Sequence, residues 1–488
     1  MTTVPDPETP SPSGEPSRPP IDHPVRMLVT GDLSRNRLTV FFRLLLAIPH
    51  FIWVGLWGIV AVLAAIANWF AVLLTGKAPA GLHRFLTSYV NYVTHVYAYV
   101  SVAANRYPGF TGERGYEVDL EFDPPARQNR WTVLFRLILA VPALLLAVVM
   151  VGGGGGGYYS SGSGADTSSS STGTNLRVTG LLAAAAVVMW FYSLVRGRAP
   201  EGVVRLSWYT IHYAAQAYAY AFVLTDRYPN SDPAVLGVPR RPPPHPIVLR
   251  VPTDELERSR ITVFFRLALA FPHFVWLALW SILALIVAIL NWIATVFAGR
   301  SPAAFHRFLG AFIRYGAHVT AFVSLVANPF PGFAGTPGSY PVDVEIAGPE
   351  RQNRLSTLFR FILVIPAFLI GAGLSAALYV VAFLGWWASL FTGRMPRGLR
   401  NLGAFSIRYS AQVNAYGLGL LTDRYPYGGP PADAESVPEA PPGEGPLDWE
   451  PPVAPPDAPP SLADPTDPRG VWKDPPFVNK PVETEPSD

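Results

Sequence analysis

Four related copies of one block make up the body of this chain. Each copy holds an apolar run too long for a helix in a soluble core. The first reads RNRLTVFFRLLLAIPHFIWVGLWGIVAVLAAIANWFAVLLTGKAP, from Arg35 to Pro79. The others open with RQNRWTVLFRLILAVP at Arg127, RSRITVFFRLALAFPHF at Arg258 and RQNRLSTLFRFILVIP at Arg351. Between Leu44 and Thr75 there is no Asp, Glu, Lys or Arg. About 20 apolar residues cross a bilayer, so the repeat reads as a mainly α, polytopic membrane protein of four tandem modules. The modules span 24–112, 113–230 (with a Gly/Ser insert at 152–179), 231–335 and 336–427. The flanking tails, 1–23 and 428–488, are rich in proline and polar residues and read as disordered.

Only 15% of residues are charged, and there is no cysteine, which excludes disulfides and thiolate chemistry. The net charge of +3 hides a division. The stretch Gly428–Asp488 carries thirteen acidic against three basic residues, so the membrane body is strongly basic. Basic residues flanking membrane segments contact anionic lipid headgroups, and no soluble basic fold points to nucleic acid. The expected setting is the cell (plasma) membrane, with both tails cytoplasmic. The acidic tail is where a cytoplasmic protein partner would dock; its apolar island VWKDPPF (Val471 to Phe477) reads as incidental more readily than as a docking peptide.

Each module begins with a short alternating segment: HPVRMLV at His23, YEVDLEF at Tyr116, HPIVLRV at His245 and YPVDVEI at Tyr340. Period-two alternation marks strands. The basic first and third complement the acidic second and fourth, so all four are expected in one small membrane-proximal sheet. Next comes Arg-x5-Arg-x5-Pro, then the apolar run, then a glycine-bearing basic loop (TGKAP, RGRAP, AGRSP, TGRMP) and a mixed helix. The Gly/Ser insert of the second module falls opposite Trp57 and Gly58 of the first. Polar loops are excluded from hydrocarbon, so each run is expected to fold as a helical hairpin tipped at Gly58, Ser281 or Ser375. Lys/Arg at both ends of each run would then lie on one face of the membrane. The mixed helices, basic and aromatic, are expected to lie in the interface.

The sequence shows no catalytic residue, no cofactor site and no metal site. There is no Asp or Glu in Leu33–Gly112, Ile261–Val342 or Arg351–Thr422, which argues against carboxylate relays and carboxylate hydrolysis in the membrane. The histidines have no ligand spacing. Candidates for lipid or anion contact are Arg43, Arg136, Arg266 and Arg360, together with Arg84, Arg307, Arg314 and Arg408 on the mixed helices. A polar stripe runs through Asn91, His95, His212, Gln216, His318 and Gln412. The pattern points to a non-enzymatic membrane scaffold or regulatory protein. The alternative is a channel or carrier for anionic or amphipathic solutes, with Arg314, His318, Arg408 and Gln412 along a polar path.

The run PVRMLVTGDLSRNRLTVFFRLLLAIPHFIWV, followed by WFAVLLTGKAPAGLHRF and closing on NRYPGF, resembles the domain-of-unknown-function family 4389. The pattern recurs as RLALAFPHFVW with AGRSPAAFHRF and as RFILVIPAF with FTGRMPRGL. The second and fourth modules depart from it, with Ala143 and Ala367 where the others have His50 and His273. The resemblance implies a bacterial membrane protein of no known activity and transfers no catalytic residue.

Overall fold

The computed structural model describes residues 23–152, 180–236, 243–251 and 256–431. Residues 1–22, 153–179 of the Gly/Ser insert and 432–488 of the acidic tail, with the VWKDPPF island, lie outside the described residues. The first module comprises β1 (Val25–Val29), α1 (Arg37–Thr75) and α2 (Ala80–Val100). The second comprises β2 (Val118–Phe122), α3 (Arg130–Leu134), α4 (Arg136–Val151), α5 (Leu181–Arg196), α6 (Glu201–Ala221) and the short α7 (Pro233–Leu236). The third comprises β3 (Ile247–Arg250), α8 (Arg260–Ala298) and α9 (Ala303–Val323). The fourth comprises β4 (Asp343–Ile346), α10 (Arg354–Leu358), α11 (Arg360–Leu363), α12 (Ile365–Thr392) and α13 (Arg397–Gly417).

The long apolar runs are not hairpins. The helix α1 is unbroken through Gly58, as α8 is through Ser281 and α12 through Ser375. A single small residue does not end a helix whose backbone would be left unsatisfied in apolar surroundings. The punctuation lies elsewhere. Asn36 caps the start of α1 by accepting from the N–H groups of Leu38 and Thr39. Gly76, Gly197, Gly299 and Gly393 end the apolar helices in the left-handed region, with φ of +69° to +77°. Each of those glycines sits in a basic loop, because positive φ costs glycine nothing. The 39 residues of α1 run about 58 Å, so Arg37 and Lys77 stand at opposite ends of one rod. The insert of the second module therefore does not mark a hairpin tip. The facing ends of α4 and α5 abut: a Cβ built on Gly180 (φ +128°) would collide with the backbone of Gly152.

Three helices are long and apolar enough to cross a membrane: Arg37–Thr75, Arg260–Ala298 and Arg360–Thr392. On α1 the buried residues form one stripe, Val40, Arg43, Ala47, His50, Ala61, Asn68 and Val72. Leu44, Leu45, Ile52, Ile59, Leu63 and their neighbours are exposed, the pattern of a helix that meets lipid on its other faces.

The mixed helices are packed inside the protein. Each packs on the apolar helix of its own module, α2 also meets α6, and α9 also meets α13. Nearly every residue of α6 from Val203 to Tyr220 is buried. At the centre α12 packs on α4 and α5. Its small residues allow this: a Cβ on Gly373 would lie 2.9 Å from the Cα of Leu181.

The strands form two separate antiparallel pairs, β1 with β2 and β3 with β4, rather than one sheet. The charge complement operates within each pair: Arg26 meets Glu121 and Asp123, and Arg250 meets Glu345 at 2.6 Å. Side chains of the mixed helices occupy the outer strand edges. His212 and Gln216 each lie 3.2 Å from the Val25 carbonyl, Gln412 donates to that of Ile247, and Asn91 accepts from the Leu120 N–H. Each of these contacts takes a backbone group that an edge would otherwise offer a further strand.

Candidate functional site

Every mixed helix ends the same way. Val102, Val223, Leu325 and Leu420 adopt positive φ (+49° to +64°) although none is glycine. The N–H two residues on (Ala104, Ala327) or one residue on (Leu224, Leu421) then reaches back to a carbonyl in the last helical turn, as Ala104 does to that of Ala98 at 2.9 Å. Such a conformation costs about 1–2 kcal/mol for a residue with a Cβ, and something must hold it. The second arginine of each Arg-x5-Arg-x5-Pro motif does so. Arg43, Arg136, Arg266 and Arg360 are at most 1% exposed. They do not snorkel to headgroups, because the carbonyls and the negative end of a helix dipole meet them inside the protein. Arg43 donates to the carbonyls of Tyr99 and Ala104, both at 2.8 Å, and Arg266 to those of Phe322 and Ala327. Each guanidinium also lies over an aromatic ring: Tyr99 and Phe322 at 4.5 Å, Tyr220 and Tyr416 at 4.1 Å.

The remaining partners alternate between modules. In the second, Arg136 reaches Gln128 and Asp226, at 2.8 and 2.9 Å. In the fourth, Arg360 reaches Gln352 and Asp423, at 3.2 and 2.6 Å. In the first and third modules a second buried arginine replaces the glutamine, and Asn105 or Asn328 replaces the aspartate. Arg35 binds the carbonyls of Val102 and Ala103, and Arg258 those of Leu325 and Val326. Burial works to raise the Asp423 carboxyl, but hydrogen bonds from Ser356 and the Asn353 N–H and the Arg360 charge outweigh it and hold it below the usual range. These aspartates were missed in the sequence. The signal was present in the alternation of ANRYP, TDRYP, ANPFP and TDRYP.

The polar stripe is likewise internal. His95 lies 2.6 Å from Asp119, whose other oxygen takes the N–H groups of Gly115 and Tyr116. His318 repeats the pair with Asp343 at 2.9 Å, joined by Arg314 at 3.4 Å. Burial would raise both carboxyls, and the histidine hydrogen bond with the loop N–H bonds depresses them. Arg314 also donates to the carbonyls of Val344 and Gly335, and Arg408 to that of Gly429. Arg84 and Arg307, by contrast, are exposed. His50 and His273 sit in aromatic boxes, 2.7 and 2.6 Å from the hydroxyls of Tyr92 and Tyr315. Where the second and fourth modules have alanine, the matching Tyr213 and Tyr409 donate to the carbonyls of Ala143 and Ala367. Among the described residues no three His, Asp or Glu side chains gather as metal ligands.

The exposed charge collects at seams between modules. The basic loop of one module forms a bridge with the opening segment of its neighbour: Ser34 with Arg198, Lys77 with Arg127, Glu257 with Arg394 and Arg300 with Arg351. The Glu257–Arg394 seam carries an ion pair at 2.9 Å. Two others bring like charges face to face. The Cβ position of Gly76 lies 3.8 Å from Arg130 Nε, and that of Gly299 lies 3.4 Å from Arg354 Nε. Lys77, Arg127 and Arg130 thus form one exposed cationic triad, and Arg300, Arg351 and Arg354 form its repeat. No described carboxylate forms an ion pair with any of the six. None of the six was among the candidates read from sequence, since only the pairing of loops brings them together.

No curated protein and no solved structure matches this chain. One family model, described as a domain of unknown function (DUF4389), matches four times, at residues 37–111, 177–231, 260–334 and 354–429. These matches cover more than half of the sequence and fall one to a module, so the chain belongs to the DUF4389 family.

Proposed function

We propose that this protein is a non-enzymatic membrane scaffold or regulatory protein that grips anionic lipid at its module seams and recruits a cytoplasmic partner through its acidic tail. The two cationic triads carry the reading. Like charges placed opposite one another are destabilising unless an anion joins them, and a headgroup phosphate supplies that anion. Each Lys or Arg near an anionic surface contributes about 1 kcal/mol. Lipid contact falls to these six residues with Arg84 and Arg307, since Arg43, Arg136, Arg266 and Arg360 already serve the helix ends. A carrier would need the polar stripe to line an open path, whereas Arg314, His318 and Gln412 bind strand residues and Arg408 binds the Gly429 carbonyl. The plasma membrane, with both tails cytoplasmic, is the setting that goes with this reading.

The test replaces Lys77, Arg127, Arg130, Arg300, Arg351 and Arg354 with serine and measures lipid retained by the purified protein from mixed phosphatidylglycerol and phosphatidylcholine. The wild type should enrich phosphatidylglycerol, and the variant should lose most of that enrichment. Equal enrichment in both would overturn the reading. The partner arm is separate: deleting Gly428–Asp488 should release co-purifying cytoplasmic protein.

A further inference from the structure

The two halves of the chain share a plan but differ at one place between the helices. In the second half α8, α9 and α13 enclose a cavity of about 560 Å³, within the range of small-molecule sites. The first half fills the equivalent space. Tyr89 packs on Phe222 with ring centroids 6.3 Å apart, Tyr218 packs on Phe222 at 6.4 Å, and the Tyr97 and Tyr218 hydroxyls hydrogen-bond. In the second half Tyr97 is replaced by Thr320, Val93 by Gly316, Tyr218 by Asn414 and Phe222 by Gly419. The last correspondence is fixed by geometry: Asn68 donates to the Phe222 carbonyl, and Asn291, its repeat, to that of Gly419. Three aromatic side chains and a valine have been exchanged for small ones at a single site.

The lining says what would enter. It holds no charged residue. Two polar groups on it, the Asn414 amide and the Ser410 hydroxyl, make no side-chain hydrogen bond with any described residue, and the first half has Tyr218 and Ala214 there. The lining also includes Leu285, an exposed residue of the apolar rod α8, so the entrance faces the side on which that rod would meet lipid. We infer that this cavity binds one neutral amphiphile drawn from the bilayer, a hydrocarbon body with an uncharged hydrogen-bonding end such as a hydroxyl or ester. An ionised end would be desolvated there without a counter-charge, and a pure hydrocarbon would leave Asn414 unpaired.

The experiment measures saturable binding of radiolabelled 1-palmitoylglycerol to the full-length protein in detergent, with ionised palmitate and hexadecane as competitors. Gly316→Val tests the site, because a Cβ there meets nothing within 4 Å, and Gly316→Val with Thr320→Tyr and Asn414→Tyr restores the first-half lining. Stoichiometric binding is expected. Both competitors should be at least tenfold weaker than unlabelled glyceride, and the triple variant should bind at least tenfold more weakly. The single variant, which needs no rearrangement to fold, should show a smaller loss. Absence of saturable binding, equal competition by palmitate, or unchanged binding in the single variant would overturn the proposal.

Discussion

Removing the carboxylate that holds Arg360 tests how the helix ends are built. Asp423 Oδ1 lies 2.6 Å from Arg360 and 2.7 Å from the Ser356 hydroxyl, and Oδ2 accepts from the Asn353 N–H at 3.1 Å. In Asp423→Ala the guanidinium, itself fully buried, keeps the Thr422 carbonyl, the Gln352 side chain and the Tyr416 ring but no carboxylate. Breaking a fully buried pair costs about 3–5 kcal/mol. The Asp423 side chain is 32% exposed, and solvent screening brings the expected cost to about 2–3 kcal/mol. Asp423→Asn should cost about 1 kcal/mol, since one neutral hydrogen bond replaces a charged one. The third module is the built-in precedent, with Arg266 donating to Asn328 Oδ1 at 3.2 Å. The assay is reversible denaturation in lipid nanodiscs, followed by tryptophan fluorescence, with Arg360→Met and the double variant completing a cycle whose coupling should exceed 0.5 kcal/mol. The pH dependence has a fixed sign. A depressed carboxyl stabilises above its ordinary value near 3.9 and loses that contribution as pH falls through the lower folded value. The Ala penalty should therefore be full at pH 7 and shrink toward pH 3. Equal losses for Ala and Asn, or an Ala loss below about 0.5 kcal/mol, would refute the account of the cap.

Other expectations concern packing, protonation and topology. Burial depresses His212 to about 4, so the folded state excludes a proton that the unfolded chain binds below about 6.5. Stability should fall by about 2 kcal/mol from this group between pH 6.5 and pH 5, and His212→Asn should flatten that part of the profile in calorimetry. Gly373→Val places a side chain against Leu181 and should lower stability by about 1–3 kcal/mol, whereas an unchanged melting temperature would show that α12 and α5 do not meet there. The chain lacks cysteine, so single cysteines report cleanly. Ile59→Cys, exposed in mid-rod, should resist a membrane-impermeant maleimide from both sides while Lys77→Cys reacts; rapid labelling at residue 59 would restore the hairpin.

The sequence alone was enough to establish the repeat, the extent of the apolar runs, the short strands and the lack of cysteine, though not that the runs are unbroken rods. These are properties of period and composition, and local physics reads them directly: uncharged runs, alternating segments, and a glycine where φ must be positive. It was enough, too, to predict that Arg26 and Arg250 would face acidic strands, because charge complement depends on partners of opposite sign and little else.

Only tertiary structure decided what the polar residues do. An arginine one turn into an apolar helix looks the same whether it reaches a headgroup or a neighbouring helix end. The difference lies in carbonyls some sixty positions away, such as those Arg43 finds at Tyr99 and Ala104. The insert misled for a related reason, since loop tolerance requires only that the two ends abut, as Gly152 and Gly180 do, and says nothing of the unbroken α1, α8 and α12. The four strands form two sheets rather than one, with helix side chains such as His212, Gln216 and Gln412 on their edges. The cationic triads and the cavity are products of pairing between modules, and no stretch of the chain taken singly contains either of them.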